Sequence, residues 1–138
     1  MKIEKDDNKI IIYLFDEFVD VDNISSLSKK IKDIFVKIMK RYNYDFFGYN
    51  KVNVYYNEYF GLILEVEQIK NNEYSYSVID LKITVYNNAN LFIEFDNIYN
   101  FKLSRVKVYN GKYYLEINNK DDINQYIEYG KVRYKKNF

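Results

Sequence analysis

Cysteine, histidine, proline and tryptophan are all absent from this 138-residue chain, and glycine occurs only four times. Each absence removes a class of chemistry. Without cysteine there is no disulfide framework, no thiolate nucleophile and no sulfur-ligated zinc or iron–sulfur centre. Without histidine there is no Ser-His-Asp or Cys-His arrangement, no HExxH metal site and no imidazole base. Lys plus Arg number 21 and Asp plus Glu 20, a net charge of +1 that lacks the basic excess of a non-specific DNA binder. The longest uninterrupted apolar run, residues 10–15, is far short of the roughly 20 residues that a bilayer-spanning helix requires. The opening MKIEKDDNK mixes both signs of charge and has no apolar stretch, so no secretory leader is expected. No membrane association and a cytoplasmic setting are therefore the expectations.

Aromatic side chains, in contrast, are abundant. Tyr occurs 17 times and Phe 10 times. Tyr, Asn, Lys and Ile together dominate the composition. All four have AT-rich codons, so abundance alone carries no functional argument. Charge position carries more. Residues 43–101 hold eight acids and three bases, whereas residues 102–138 hold nine bases and four acids. No linker, repeat or low-complexity stretch interrupts the chain, and a single domain over 1–138 is expected.

Periodicity predicts the elements. Residues 2–5 and 9–15 read as a hairpin around Asp6-Asp7-Asn8, and the nearly all-apolar second strand is placed centrally in a sheet. Ile24, Leu27, Ile31, Ile34, Phe35, Ile38, Met39 and Tyr42 form one stripe, predicting a helix over 24–42 capped by Asp22 or Asn23 and left through Asn43 in a left-handed conformation. From residue 47 onward the pattern alternates. Matching apolar to apolar residues predicts successive hairpins. Val54 is set against Leu62 and Val52 against Leu64 across a loop at 57–59, with Lys51 facing Glu65. Leu64 is set against Ile79 across Asn71-Asn72. Val85 is set against Ile93 across 88–90, with Lys82 facing Asp96. Asn110-Gly111 predicts a type I′ hairpin pairing Val108 with Tyr113, Val106 with Leu115 and Arg105 with Glu116. A short helix over 121–129, capped by Asp121 or Asp122, and a last edge strand complete the chain. The fold class is α+β: an antiparallel meander with a long amphipathic helix on one face and a short C-terminal helix. The helix is expected to cover Val52, Val54, Leu62, Leu64, Ile79, Leu81, Ile83, Val85, Ile93 and Phe95.

The same registers leave an opposite face built from Tyr49, Lys51, Asn53, Tyr55, Ile63, Glu65, Glu67, Ile69, Tyr74, Tyr76, Val78, Asp80, Lys82, Thr84, Phe92, Glu94 and Asp96. Five acids against two lysines, interleaved with large side chains, make an acidic, Tyr-rich open surface. Tyr covers much area at low entropic cost and keeps a polar tip, which suits interfaces. Tyr49, Tyr55, Glu65, Glu67, Tyr74, Tyr76, Asp80 and Glu94 are the candidate partner-binding residues. The expected function is non-enzymatic: a regulator or inhibitor that occupies a protein partner's surface, with a phage-type inhibitor of a nucleic-acid-binding defence enzyme as one form. Pairing with a second copy through the same face is the structural competitor. The bland alternative is a half-wet sheet floored by tyrosines.

Two other readings use different residues. Lys29, Lys30, Lys37, Lys40 and Arg41 on the polar side of the long helix, with Arg133 in the tail, predict phosphate contacts in a nucleic-acid-binding accessory protein. The triplet Asp80-Leu81-Lys82, with Glu65 and Glu67 on the strand expected beside it, resembles the (D/E)xK half of the PD-(D/E)xK nuclease pattern. That resemblance implies a Mg²⁺-dependent nuclease, although the Pro is missing and a strand follows where that family has a helix. Lys51–Glu65 and Lys82–Asp96 are equally explained as cross-strand ion pairs. No Gly-rich phosphate loop or nucleophile elbow is present, and no catalytic residue, metal or cofactor is assigned. Asp16, Glu17, Asp20 and Asp22 read as loop and capping residues, with calcium ligation as the alternative.

Overall fold

A computed structural model of the chain describes residues 1–69, 77–97 and 105–134. The chain is α+β, with two helices and two sheets among the described residues. The expected turn at Asn71-Asn72, and Tyr74 and Tyr76, lie outside the described residues.

The local elements follow from local chemistry. Strands β1 (Lys2–Asp6) and β2 (Lys9–Phe15) pair antiparallel from Lys2↔Tyr13 to Asp6↔Lys9, with Asp7 at the turn in the left-handed region (φ 52°). Helix α1 spans Ile24–Arg41, and the Asn23 side chain accepts from the Ser26 backbone N–H at its start. Lys40 and Arg41 sit at its negative end. Leu27, Ile31, Ile34, Phe35 and Ile38 form its buried stripe. The helix stops one residue earlier than expected, because Tyr42 leaves in extended conformation; Asn43 does not take the left-handed exit.

Strands β3 (Gly48–Asn57) and β4 (Gly61–Ile69) form a hairpin shifted by two residues from the expected register: Val54 faces Leu64, Val52 faces Val66 and Asn53 faces Glu65. The turn explains the shift. Asn57 Oδ1 accepts from the backbone N–H groups of Tyr59 (2.8 Å) and Phe60 (2.9 Å), closing the loop over 58–60. Gly61 then adopts φ +120°, and a Cβ there would lie 2.6 Å from the Leu14 carbonyl oxygen. An even shift preserves strand parity, so the apolar set stays on the helix side.

Strand order departs from a meander. The five-stranded sheet runs β1-β2-β4-β3-β5, where β5 is Ile79–Tyr86. β2 takes the free edge of β4, pairing Ile12 with Leu64. With both its edges occupied, β4 has no place for β5. β5 instead runs parallel to β3, from Gly48↔Ile79 to Tyr55↔Tyr86, so the sheet is mixed and the hairpin pairing Leu64 with Ile79 is not formed. The next expected hairpin is also absent. β6 (Phe92–Phe95) enters a second, antiparallel sheet of order β7-β8-β6-β9, built with β7 (Val106–Tyr109), β8 (Lys112–Glu116) and β9 (Lys131–Arg133). There Ile93 faces Leu115 and Val132 rather than Val85. The β7–β8 hairpin has the expected register, Val106↔Leu115 and Val108↔Tyr113, with Asn110 (φ 49°) and Gly111 (φ 74°) both left-handed. Helix α2 covers Lys120–Tyr126 and is capped by Asn119 rather than by Asp121 or Asp122.

Two cores result. On one side of the first sheet, α1 buries Ile12, Leu14, Val52, Val54, Leu62, Leu64 and Val66, with Phe35 stacked on Phe46 at 4.1 Å; Ile79, Leu81, Ile83 and Val85 pack against this core only in part. On the other side, Ile11, Tyr13, Phe60 and Ile63 meet Leu91, Ile93, Phe95, Leu115, Ile117 and Ile123. Ile93 and Phe95 therefore belong to the second core, not under the helix. Among the described residues no helix is long and apolar enough to cross a membrane.

Candidate functional site

Strand registers lay out the face of the first sheet that points away from α1. One row reads Lys2, Tyr13, Ile63, Tyr55 and Tyr86 across β1, β2, β4, β3 and β5. The next reads Glu4, Ile11, Glu65, Asn53 and Thr84, and the third Asp6, Lys9, Glu67, Lys51 and Lys82. The second sheet covers the middle of the first two rows: Tyr13, Ile63, Ile11 and Glu65 are buried, whereas Lys2, Tyr86 and Thr84 at the ends stay exposed. Tyr55 stacks on Tyr86 at 4.8 Å and lies against Tyr134 at 4.6 Å. Burial, then the neighbouring Glu65 and Tyr86, pushes the Tyr55 phenol up to about 12.

Glu65 is the centre of this junction. It is 3 % exposed, accepts from Asn53 Nδ2 (2.9 Å) on one oxygen and from Tyr134 Oη (2.8 Å) on the other, and has Lys9 Nζ at 3.8 Å. These contacts supply the partners that a buried carboxyl requires. The expectation that Glu65 offers its carboxylate to a partner is corrected: it is a buried structural group. A covered acid was legible in one respect, since Glu65 sits inside the apolar run Leu62-Ile63-Leu64-Glu65-Val66.

Two hollows flank it. One, about 430 Å³, is lined by Glu4, Lys5, Asp6, Ile11, Tyr13, Arg133 and Tyr134. In it Tyr13 Oη donates to Glu4 Oε2 (3.1 Å). Burial opposes the Glu4 carboxylate, but hydrogen bonds from Lys2 and Tyr13 outweigh it and hold its pKa below the ordinary value. The other, about 160 Å³, is lined by Lys51, Asn53, Glu65, Glu67, Lys82 and Thr84.

The remaining candidate residues scatter. Tyr49 and Asp80 are exposed neighbours on β3 and β5, and Glu67 is half-buried on β4. Glu94 lies in the second sheet, where it accepts from Tyr114 Oη (2.8 Å) and Arg133 Nε (3.2 Å). Burial raises its pKa and the Arg133 and Tyr114 hydrogen bonds lower it, with the lowering prevailing. The uncovered face is therefore not acidic. Asp6, Glu67 and Asp80 are matched by Lys9, Lys51 and Lys82.

Of the basic set, Lys29, Lys37, Lys40 and Arg41 are exposed on α1. Lys30 is held 2.9 Å from Glu17 Oε2, and Arg133 is engaged by Glu94. The expected ion pairs Lys51–Glu65 and Lys82–Asp96 are replaced: Lys51 faces Glu67, and Asp96 pairs with Lys112 at 3.1 Å. The nuclease-like cluster is assembled only in part: Glu65, Glu67 and Lys82 border one hollow, but Asp80 does not line it. β3 lies between β5, carrying Asp80 and Lys82, and β4, carrying Glu65 and Glu67. Among the described residues no three His, Cys, Asp or Glu side chains are grouped to hold a metal ion. Sequence reasoning missed one constellation outright. The buried Asp122 receives two hydrogen bonds from Arg105, at 2.8 and 2.9 Å, and one from the Asn118 backbone N–H. The chain matches no protein-family model, no curated protein and no solved structure.

Proposed function

We propose that the protein is a non-enzymatic protein-interaction module of the regulator or inhibitor type, contacting a protein partner through the strip of the first sheet that the second sheet leaves open. One observation carries the reading. Tyr49 and Ile69 are cross-strand partners, yet they stay 37 % and 46 % exposed, beside charges of both signs on Lys51, Glu67, Asp80 and Lys82. Large apolar side chains set among unburied charges are what the centre and rim of a protein interface require. The charge balance of the strip favours a partner of mixed charge over a purely basic groove, which lowers the support for a nucleic-acid-mimicking inhibitor. A cytoplasmic setting accords with this reading, since a chain without cysteine forgoes no disulfide there.

The test is affinity capture from the native cell with the tagged full chain, compared with the Tyr49→Ala, Ile69→Ala double variant. A protein retained by the wild type and lost by a double variant of unchanged circular dichroism supports the strip. Identical captured sets overturn it.

A second reading rests on a different surface. Lys29, Lys37, Lys40 and Arg41 are exposed along α1, and none forms an ion pair with a carboxylate among the described residues. That arrangement supports phosphate contacts by a nucleic-acid-binding accessory protein. The absence of any mobility shift with single-stranded and duplex oligonucleotides at low salt removes this reading.

A further inference from the structure

We infer that the protein pairs with a second copy of itself by antiparallel addition of β5 to β5 across a two-fold axis at Leu81, extending the five-stranded sheet into a ten-stranded one. The inference concerns the edge of the sheet and does not depend on the open strip of its face.

β5 is an edge strand, and among the described residues no strand lies on its outer side. A strand there presents unpaired backbone N–H and C=O groups, a ready template for another strand. The edges of the other strands carry devices against such pairing. β1 is rich in charge (KIEKD), and β9 has only three residues, two of them basic. β7 pairing with itself about Lys107 would place Lys107 against its own copy, a like-charge contact. β5 has eight residues, IDLKITVY, and offers an axis that sets its two charges against each other with opposite sign.

Its side chains also select one register. Antiparallel self-pairing makes each residue face the one equally distant from the axis. About Leu81, Asp80 faces the second copy's Lys82 and Lys82 faces its Asp80. Two opposite-charge contacts therefore form on one face. On the other face Ile79 meets Ile83 and Leu81 meets Leu81. These apolar residues are the incompletely buried ones: Ile79, Leu81 and Ile83 are only partly covered by α1, whereas Val52 and Val54 on the adjacent β3 are 0 % exposed. An axis at Lys82 would oppose lysine to lysine, and an axis at Ile83 would leave Lys82 facing Thr84. Only the Leu81 axis matches both faces. Among the described residues no carboxylate occupies Lys82, so no ion pair among them competes with the contact to Asp80 of the second copy. A single ladder is a small interface, which sets the expected dissociation constant at roughly the micromolar scale.

The chain lacks cysteine, which makes the test direct. Leu81→Cys puts one thiol opposite its own copy, within the Cα separation a disulfide spans. Thr84→Cys puts an exposed thiol on the same strand opposite Val78. Under mild oxidation the Leu81→Cys protein is expected to form a covalent dimer rapidly and Thr84→Cys to lag well behind. Equal rates, or none for Leu81→Cys, overturn the inference. Sedimentation velocity on the full chain supplies an independent readout. Lys82→Glu is expected to weaken self-association by about tenfold or more, and adding Asp80→Lys to that variant is expected to restore it. A wild type that is monomeric up to about 100 micromolar, well above the affinity expected of such a ladder, overturns the inference. So does a dimer unaffected by Lys82→Glu, or a charge-swapped variant without rescue.

Discussion

Tyr134 Oη donates a 2.8 Å hydrogen bond to Glu65 Oε2, tying the residue after the last described strand to the middle strand of the other sheet. The two residues are 69 positions apart in the chain. The bond spans the junction of the two sheets at Glu65, which is 3 % exposed there. Tyr134→Phe keeps the ring against Tyr55 but removes this hydrogen bond to a buried carboxyl. The expected loss of unfolding free energy is about 2 kcal/mol. Urea denaturation of the two proteins checks this, and a difference below about 0.5 kcal/mol shows the bond adds little.

Two glycines separate a steric requirement from a conformational one. Gly61 has φ +120° and its missing Cβ would strike the Leu14 carbonyl at 2.6 Å, whereas Gly111 has φ +74° and open space around it. Gly111→Ala is therefore expected to cost about 1 kcal/mol, the ordinary left-handed penalty. Gly61→Ala is expected to cost about 3 kcal/mol or more, or to prevent accumulation of folded protein. Comparable losses at the two positions would remove the steric argument.

The Arg105–Asp122 pair sets an acid limit. Hydrogen bonds from Arg105, opposed by burial and joined by the Asn118 N–H, hold the Asp122 carboxyl below the ordinary aspartate range. A carboxyl with a depressed folded pKa contributes stability above its unfolded value, and that contribution fades as pH falls through the folded one. Wild type is expected to exceed Asp122→Asn in stability at neutral pH. The gap should narrow below about pH 4 and vanish in stronger acid. Denaturant midpoints of both proteins measured across that range test the sign; a gap that widens in acid contradicts it.

The alkaline limit comes from the phenols. Burial, with Glu65 nearby, pushes Tyr55 up to about 12, and burial also raises Tyr13 and Tyr134. A group with a raised folded pKa contributes stability below its unfolded value and loses it as pH climbs toward the folded one. In absorbance at the phenolate band, Tyr13, Tyr55 and Tyr134 should ionise above about pH 10, the ordinary tyrosine value, together with loss of the folded circular dichroism signal. A single smooth ionisation without late unfolding would contradict this burial.

The hairpin of β7 and β8 was legible to the residue because Asn110-Gly111 dictates a local turn, and a local turn dictates register. α1 was legible for a similar reason: its stripe and its Asn23 cap lie within the segment itself. The parity of β3, β4 and β5 also survives, since the apolar side of an alternating strand must find a core whatever its neighbours are. Strand order was not legible. It depends on a competition between distant segments for one edge, and β2, far upstream, occupies the edge of β4 that β5 would need. The polar face was misread for the same reason. Whether Glu65 is wet or buried depends on a second sheet assembled from later residues, which no alternation within β4 can announce. Periodicity and turn chemistry, being local, were set by the amino-acid order. Strand adjacency and the covering of Glu65 are contests between remote surfaces, and only three-dimensional packing decided them.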